Sequence, residues 1–401
     1  MSTLHIRHFG PVSVADVTFS RFTFFVGPQG AGKSTIAKLY SMFMWLEKSL
    51  IRGMLKINYI EQYSRFQKAY CGYHRLSSYF YDDTVIRFIG KSYMFVYENR
   101  RLSITPFDMS STDVAKVMYV PSERNFLSSL DNLNGLKSLP LSLQTFKDEY
   151  DSACKAYGSG YNLPINGVRY EYDRLNSVSW LIGNGFRVRL SDASSGFQAA
   201  LPMLLVTNYL TSLVSSRHED GYSRLSIAEQ EKLNKEVQAI IDNTDYSPEV
   251  RNAALAALSS KFVYSGFVNV VEEPEENLYP ESQKNVLFSL ISNANSDEGN
   301  QLVVTTHSPY VINYLTLAVK ACKLKDMAGD NEHALRKISE IVPLDSCIPA
   351  TEISIYEMID GSAEELPMPD GLPTDNNFLN IALGNVNNMF DALLEIEEEI
   401  Q

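Results

Sequence analysis

Residues 27–34 set three glycines, a lysine and a serine in one short string: Gly27, Pro28, Gln29, Gly30, Ala31, Gly32, Lys33 and Ser34, followed by Thr35. Glycines at this spacing leave successive backbone N–H groups free to turn inward. An apolar run from Phe22 to Val26 precedes the string and an apolar helical stretch begins at Thr35. In that strand–turn–helix setting the N–H groups wrap phosphate oxygens, helped by the positive end of the helix. Lys33 then reaches the β- and γ-phosphates and Ser34 binds Mg²⁺ through its hydroxyl. The expected ligands are therefore ATP and Mg²⁺.

Three further groups of residues extend this chemistry. Val268 to Glu273 is an apolar strand ending in two carboxylates, the arrangement expected where a second strand delivers acids to a nucleotide site. Glu272 would hold Mg²⁺ directly or through water, and Glu273 would orient and polarise the water that attacks the γ-phosphate. Adjacent strand residues point to opposite faces, so this division of labour requires the chain to turn outward at Pro274. His307 follows another apolar strand, where its imidazole would reach the γ-phosphate and sense its loss. Ser194, Ser195 and Gly196 open a helix whose free N–H groups and hydroxyls form a second anion site. One ATP needs a single phosphate site. Two chains paired head to tail would use both, the Ser-Ser-Gly of one closing over the γ-phosphate held by the other.

These residues need a framework of alternating strands and helices. Thr3 to His8 and Val12 to Phe19 read as a hairpin about Gly10-Pro11. A packed helix follows the glycine string, and a Tyr-, Phe- and Arg-rich helical insertion follows between about 58 and 80. Antiparallel strands are expected at 84–88, 93–97 and 101–105, another strand at 114–120, and a helix at 141–157. A second β-rich block runs from 168 to 190 with a hairpin turn at Asn184-Gly185. Gly196 to Val214 reads as a buried helix, and Arg217 to Lys261 as a charged two-helix protrusion broken near Asn243 to Pro248. Strand–helix alternation then resumes from Phe267 through the helix after Pro309, which implies a parallel sheet. A strand is expected at 352–359, a Pro- and Gly-rich link at 367–373, and a final helix from about Asn376. The fold class expected is α/β, with a mostly parallel core sheet, an antiparallel β subdomain and helical insertions. The domain division expected is residues 1–344, with insertions at about 55–110 and 217–261, and a small C-terminal appendage at 345–401.

Composition sets bounds. The 401 residues carry 48 Asp and Glu against 35 Lys and Arg, a net charge of -13, so any DNA contact has to be a local patch. Cys71, Cys154, Cys322 and Cys347 have no CxxC spacing, which indicates neither a zinc site nor a redox pair. The N-terminus lacks the pattern of an export signal, and no stretch reads as the roughly 18 apolar residues of a membrane helix. The expectation is a cytoplasmic protein with no membrane partner.

Taken together, GPQGAGKS, SSGFQ, VVEEPEENLYP and TTHSP resemble, in order and spacing, the ATP-binding cassette type of P-loop ATPase. Within that class they look most like the soluble RecF, SMC and OLD-like group, and the resemblance spans Thr3 to about Leu315. The Glu273-Pro274-Glu275, Leu278 and Pro280 pattern is typical of the RecF and OLD-like branch, which also has a segment similar to Met118–Phe126, so Glu123 and Arg124 are expected at the site or the subunit contact.

The resemblance implies a switch that dimerises around two ATP molecules, hydrolyses them, and controls a separate effector in DNA repair or phage defence. Glu272 stands where the family usually has Asp, and its extra methylene shifts the metal-binding carboxylate. The protrusion is far too short for the SMC coiled coil, and the C-terminal remainder has no DxD pair of the OLD nuclease, so a nuclease is not expected here. Two other readings stand beside the switch: a non-catalytic, nucleotide-gated scaffold for DNA or protein, and the ATPase subunit of a transporter.

Overall fold

A computed structural model describes residues 1–108, 114–130, 139–215, 225, 227–243 and 246–400. The strands are, in chain order, β1 (Ser2–Phe9), β2 (Val12–Phe19), β3 (Phe22–Val26), β4 (Phe80–Ile89), β5 (Tyr93–Glu98), β6 (Arg101–Pro106) and β7 (Ala115–Val120). Then come β8 (Tyr161–Asn162), β9 (Arg169–Asp173), β10 (Val178–Gly183), β11 (Phe186–Arg189), β12 (Gly266–Glu272), β13 (Gln301–Thr306), β14 (Ile353–Ile359) and β15 (Ser362–Glu365). Eleven of them form one sheet in the order β6-β5-β4-β1-β2-β15-β14-β3-β13-β12-β7; β8 to β11 form a separate antiparallel sheet.

The large sheet has two characters. β14, β3, β13, β12 and β7 run parallel side by side. Their sequences explain it: β3 (FTFFV) and β12 (GFVNVVE) are buried along their whole length, as strands covered on both faces must be. Phe22, Phe24 and Val26 enter a layer formed by the helices Ser195–Ser215, Pro280–Asn295 and Pro309–Ala328. Phe25, on the opposite face, packs with the helix Lys33–Ile51. Beyond β15 the sheet becomes a run of antiparallel pairs, β2/β1, β1/β4, β4/β5 and β5/β6, and the expected β-rich stretch at 84–105 extends the same sheet.

Two expectations need correction. The boundary placed at 344/345 cuts through the main sheet: β14 pairs with β3 itself and β15 pairs with β2, so 353–365 belong to the main body. The strand pattern at 352–359 was legible, but its partner could not be read from local sequence, because the pairing spans more than 300 positions. The helix Ser195–Ser215 is, by length and a mean hydropathy of 1.3, apolar enough to cross a membrane, contrary to the scan of the sequence. It is apolar on all sides because 67 % of that window is packed inside the protein.

The two protrusion helices occupy Ile227–Ile241 and Pro248–Phe262. Arg217, where the protrusion was expected to start, and residues 244 and 245 in the expected break lie outside the described residues. Arg52, at the end of the helix Lys33–Ile51, ties this pair to the body by bonding Glu229 and the Phe262 carbonyl. All four cysteines are free thiols.

Candidate nucleotide site

The parallel register assembles the site. β3 aligns Val26 with Thr306 of β13, and β13 aligns Thr305 with Glu272 of β12. The residues after each strand, the glycine string, His307 and Glu273, therefore emerge together at the carboxyl edge of the sheet, where α/β folds bind ligands. Gly27 adopts φ 137°, and a Cβ there would stand 2.5 Å from the Met358 carbonyl oxygen of β14. Glycine is what allows β14 to lie against the turn. Gln29 and Gly30 face solvent, whereas Lys33 is only 4 % exposed.

Lys33 Nζ donates to the carbonyls of Gly27 and Pro28, each at 2.8 Å, and lies 3.2 Å from His307 Nδ1. His307 Nε2 lies 3.3 Å from Glu273 Oε1. With Lys33 donating to Nδ1, the imidazole takes the tautomer whose Nε2–H donates to Glu273. The three residues assigned to catalysis from sequence thus form one continuous hydrogen-bonded chain. Burial lowers Lys33 to about 8, against the pull of the carboxylates of Glu273, Glu275 and Glu272. The hydrogen bond from His307 holds the Glu273 carboxyl below its ordinary range, against partial burial.

The paired acids part as the strand ends. Glu272, the last residue of β12, is 2 % exposed; its Oε2 accepts from Ser122 N at 3.4 Å and its Oε1 lies 3.7 Å from Lys38 Nζ. Glu273 has φ 45°, a left-handed conformation that a non-glycine residue adopts at a cost, and its N–H bonds the Thr305 carbonyl at 2.8 Å. That local twist sends its carboxylate toward His307. Glu272 Oε1 is buried with no hydrogen-bond partner. With only the Lys38 ammonium at ion-pair distance from this oxygen, a hard carboxylate near the phosphate turn suits a water-bridged Mg²⁺ with Ser34 as the hydroxyl ligand.

Sequence reasoning assigned no role to Glu275 and only a location to Arg124. Glu275 Oε1 accepts from Thr306 Oγ1 and from His307 N, both at 2.7 Å, which fixes the backbone that presents the imidazole. Burial pushes its carboxyl up. Arg124 is fully buried, and its guanidinium donates to the carbonyls of Ala199 (2.9 Å), Pro121 (3.0 Å), Glu272 (2.6 Å) and Glu273 (2.6 Å). It joins the acidic turn to the helix Ser195–Ser215. The EPEE run and the arginine before Asn125 were visible, but carbonyl acceptors have no sequence signature.

Ser194 and Ser195 are exposed at the start of that helix, and Gly196 is buried against Asn277 and Leu278 of the acidic turn. Among the described residues neither serine hydrogen-bonds to the phosphate turn. The structure therefore brings Lys33, His307, Glu273 and Glu272 into one site and keeps Ser194–Gly196 at the surface beside it.

A family model described as "AAA ATPase domain" matches residues 265–312, the segment from β12 through the acids and β13 to His307 and the helix after it. No curated protein matches. Among solved structures, the SMC head domain from Thermotoga maritima is similar at 12 % identity and a TM-score of 0.35, covering 91 % of this chain and 97 % of that one. The recombination mediator protein RecF gives 11 %, 0.29, 91 % and 97 %, and the ATP-binding cassette MJ0796, in a dimeric post-hydrolysis state bound to ADP and Pi, gives 10 %, 0.29, 90 % and 96 %. The phosphate turn, paired acids and histidine thus meet at one edge of a parallel sheet, and the segment matched as an AAA ATPase domain supplies two of those three parts.

Proposed function

We propose that this ATPase-fold protein hydrolyses ATP in a site completed by a second copy of itself, and that the cycle switches a separate effector in the cytoplasm. The observation that carries the reading is the Lys33–His307–Glu273 chain at the mouth of the glycine turn. Lys33 donates to the carbonyls of its own loop. A triphosphate draws the ammonium off those carbonyls and onto the β- and γ-oxygens, while the backbone N–H groups of 27–34 bind the rest. His307 Nδ1 then loses its donor and turns to the γ-phosphate, which makes the imidazole a reporter of whether that phosphate is present.

Glu273, held ionised by His307, polarises and orients the attacking water; in a loose phosphoryl-transfer transition state such positioning is the main demand on this group. Bound Mg²⁺, with Ser34 and Glu272 as its protein partners, would offset charge on the phosphates. Pairing is supported by Ser194 and Ser195, exposed hydroxyls at a helix start that do not bond the phosphate turn of their own chain. The assignment to DNA repair or phage defence comes from the resemblance to the RecF and OLD-like group.

Glu273→Gln should bind ATP, accumulate the nucleotide-bound dimer and turn over about a hundredfold more slowly. Lys33→Ala should lose both nucleotide and dimer. Hydrolysis by Glu273→Gln at the parental rate, measured as phosphate release, would show that the water is positioned by another group. Mg²⁺-dependent nucleotide binding without turnover in the parental protein would favour the scaffold reading instead.

A further inference from the structure

The last helix, Phe378–Ile400, has no buried residue along its 23 positions. It is nevertheless strongly apolar on one side, and that side repeats with strict three-four spacing. Leu379, Val386, Leu393 and Ile400 mark one heptad position; Ala382, Met389 and Ile396 mark the other. Apolar residues alternating three and four apart over three heptads are the signature of a helix that packs against another helix of the same periodicity. Leu379 at the root packs against the main core, but Val386, Met389 and Leu393 are 61 %, 70 % and 63 % exposed, so the seam beyond the root is uncovered in the single chain.

Charge selects the occupant and its direction. Asp391, Glu395, Glu397, Glu398 and Glu399 all lie in the last ten positions of the helix; positions 378–390 hold no charged residue, and the helix contains no Lys or Arg. A parallel pair would set ten carboxylates against one another. An antiparallel pair centred near Met389 sets each acidic end beside the uncharged half of the other copy and beside the positive end of its dipole. An anionic lipid surface would repel the same acids.

We propose that Phe378–Ile400 is a self-association element that packs antiparallel against the same helix of a second copy, without nucleotide. This contact is separate from the ATP-dependent pairing proposed above, and a chain bearing both can link ATP-closed dimers into larger assemblies. The root of the helix favours such a link. The Phe378 N–H bonds the Glu357 carboxylate on β14, and Glu357 is the register partner of Val26, the residue before the glycine turn.

The test is light scattering with size exclusion on the full chain at tens of micromolar, with nucleotide removed. The expected result is a dimer or larger, converted to monomer by the double substitution Val386→Glu with Leu393→Glu. Both positions are exposed, so the variant should keep the parental unfolding midpoint and still form the ATP-dependent dimer in the Glu273→Gln background. Direction is read by disulfide trapping at facing seam positions: Ala382→Cys mixed with Leu393→Cys should cross-link heterotypically, and Ala382→Cys alone should not. A monomeric parental chain, an oligomer indifferent to the double substitution, or homotypic trapping at 382 would each overturn the proposal. A helix that pairs only with added basic peptide would do the same. None of these results depends on hydrolysis.

Discussion

Replacing Arg124 by Met should unfold and disable the site together. The guanidinium is fully buried and supplies four hydrogen bonds, to the carbonyls of Ala199, Pro121, Glu272 and Glu273. Hydrogen bonds from a charged donor contribute about 1.5–3 kcal/mol each, so the gross interaction is roughly 6–12 kcal/mol. Burying the cation cancels much of this; the same burial lowers the pKa of the group, against the pull of Glu276, Glu275, Glu272 and Glu273. The net cost of deleting one partner of such a buried charged network is about 3–5 kcal/mol.

Two of the four released carbonyls belong to the paired acids, so Glu273 is freed from its left-handed backbone and its carboxylate leaves His307. A displacement of about 1 Å at a positioning group costs roughly a hundredfold in rate. Urea unfolding followed by circular dichroism, with phosphate release on the same samples, measures both effects. Arg124→Lys should fare little better, because one ammonium cannot span carbonyls on three separate segments. If Arg124→Met lost less than about 1 kcal/mol and hydrolysed ATP at the parental rate, the clamp would be incidental.

Two further outcomes follow from the geometry. Lys33 titrates at about 8 in the folded chain against 10.5 ordinarily, so between those values the unfolded chain binds more protons and this group's contribution to stability rises with pH. ATP affinity should move the other way, because the phosphates need the ammonium: calorimetry at pH 7 and 9 should show it falling about tenfold, and a flat profile would refute the low lysine pKa. Gly196→Ala would place its Cβ 2.7 Å from the Asn277 carbonyl and should cost about 1–3 kcal/mol in a denaturation curve, whereas exposed Ser195→Ala should stay within about 0.5 kcal/mol and lose only the ATP-dependent dimer.

The phosphate turn, the acidic strand end and His307 were legible because each depends on a short string beside a strand, and local sequence encodes both. The parallel strands β3, β12 and β13 were legible for the same reason: an apolar run buried on both faces needs no partner to be recognised. What escaped depends on distant chain. Nothing near Ile353 indicates that β14 lies against the glycine turn, and β15, a four-residue strand reading Ser-Ala-Glu-Glu, lacks the apolar alternation that marks a strand. The Glu332–Ser339 helix was missed because it is short and buries no residue fully. Arg124 and Glu275 act on backbone groups, which no pattern of side chains announces.

The run Glu272-Glu273-Pro274-Glu275-Glu276 shows why so many acids can share one turn. Glu272 turns to Ser122 N and Lys38, Glu273 to His307, Glu275 to Thr306 and the His307 N–H, and Glu276 to Asn125 and Arg124. The left-handed residue at 273 and the proline after it break the strand alternation and let adjacent carboxylates diverge. The hydrogen bond from His307 holds the Glu273 carboxyl low, whereas burial pushes Glu275 and Glu276 up. The environments therefore separate a working carboxylate from two framework ones within four positions. Against these four acids stand three cations, Lys33, Lys38 and Arg124, and Arg124 is committed to carbonyls. On the proposed reading these carboxylates set negative charge beside the phosphates of a bound triphosphate, and a divalent cation would offset it.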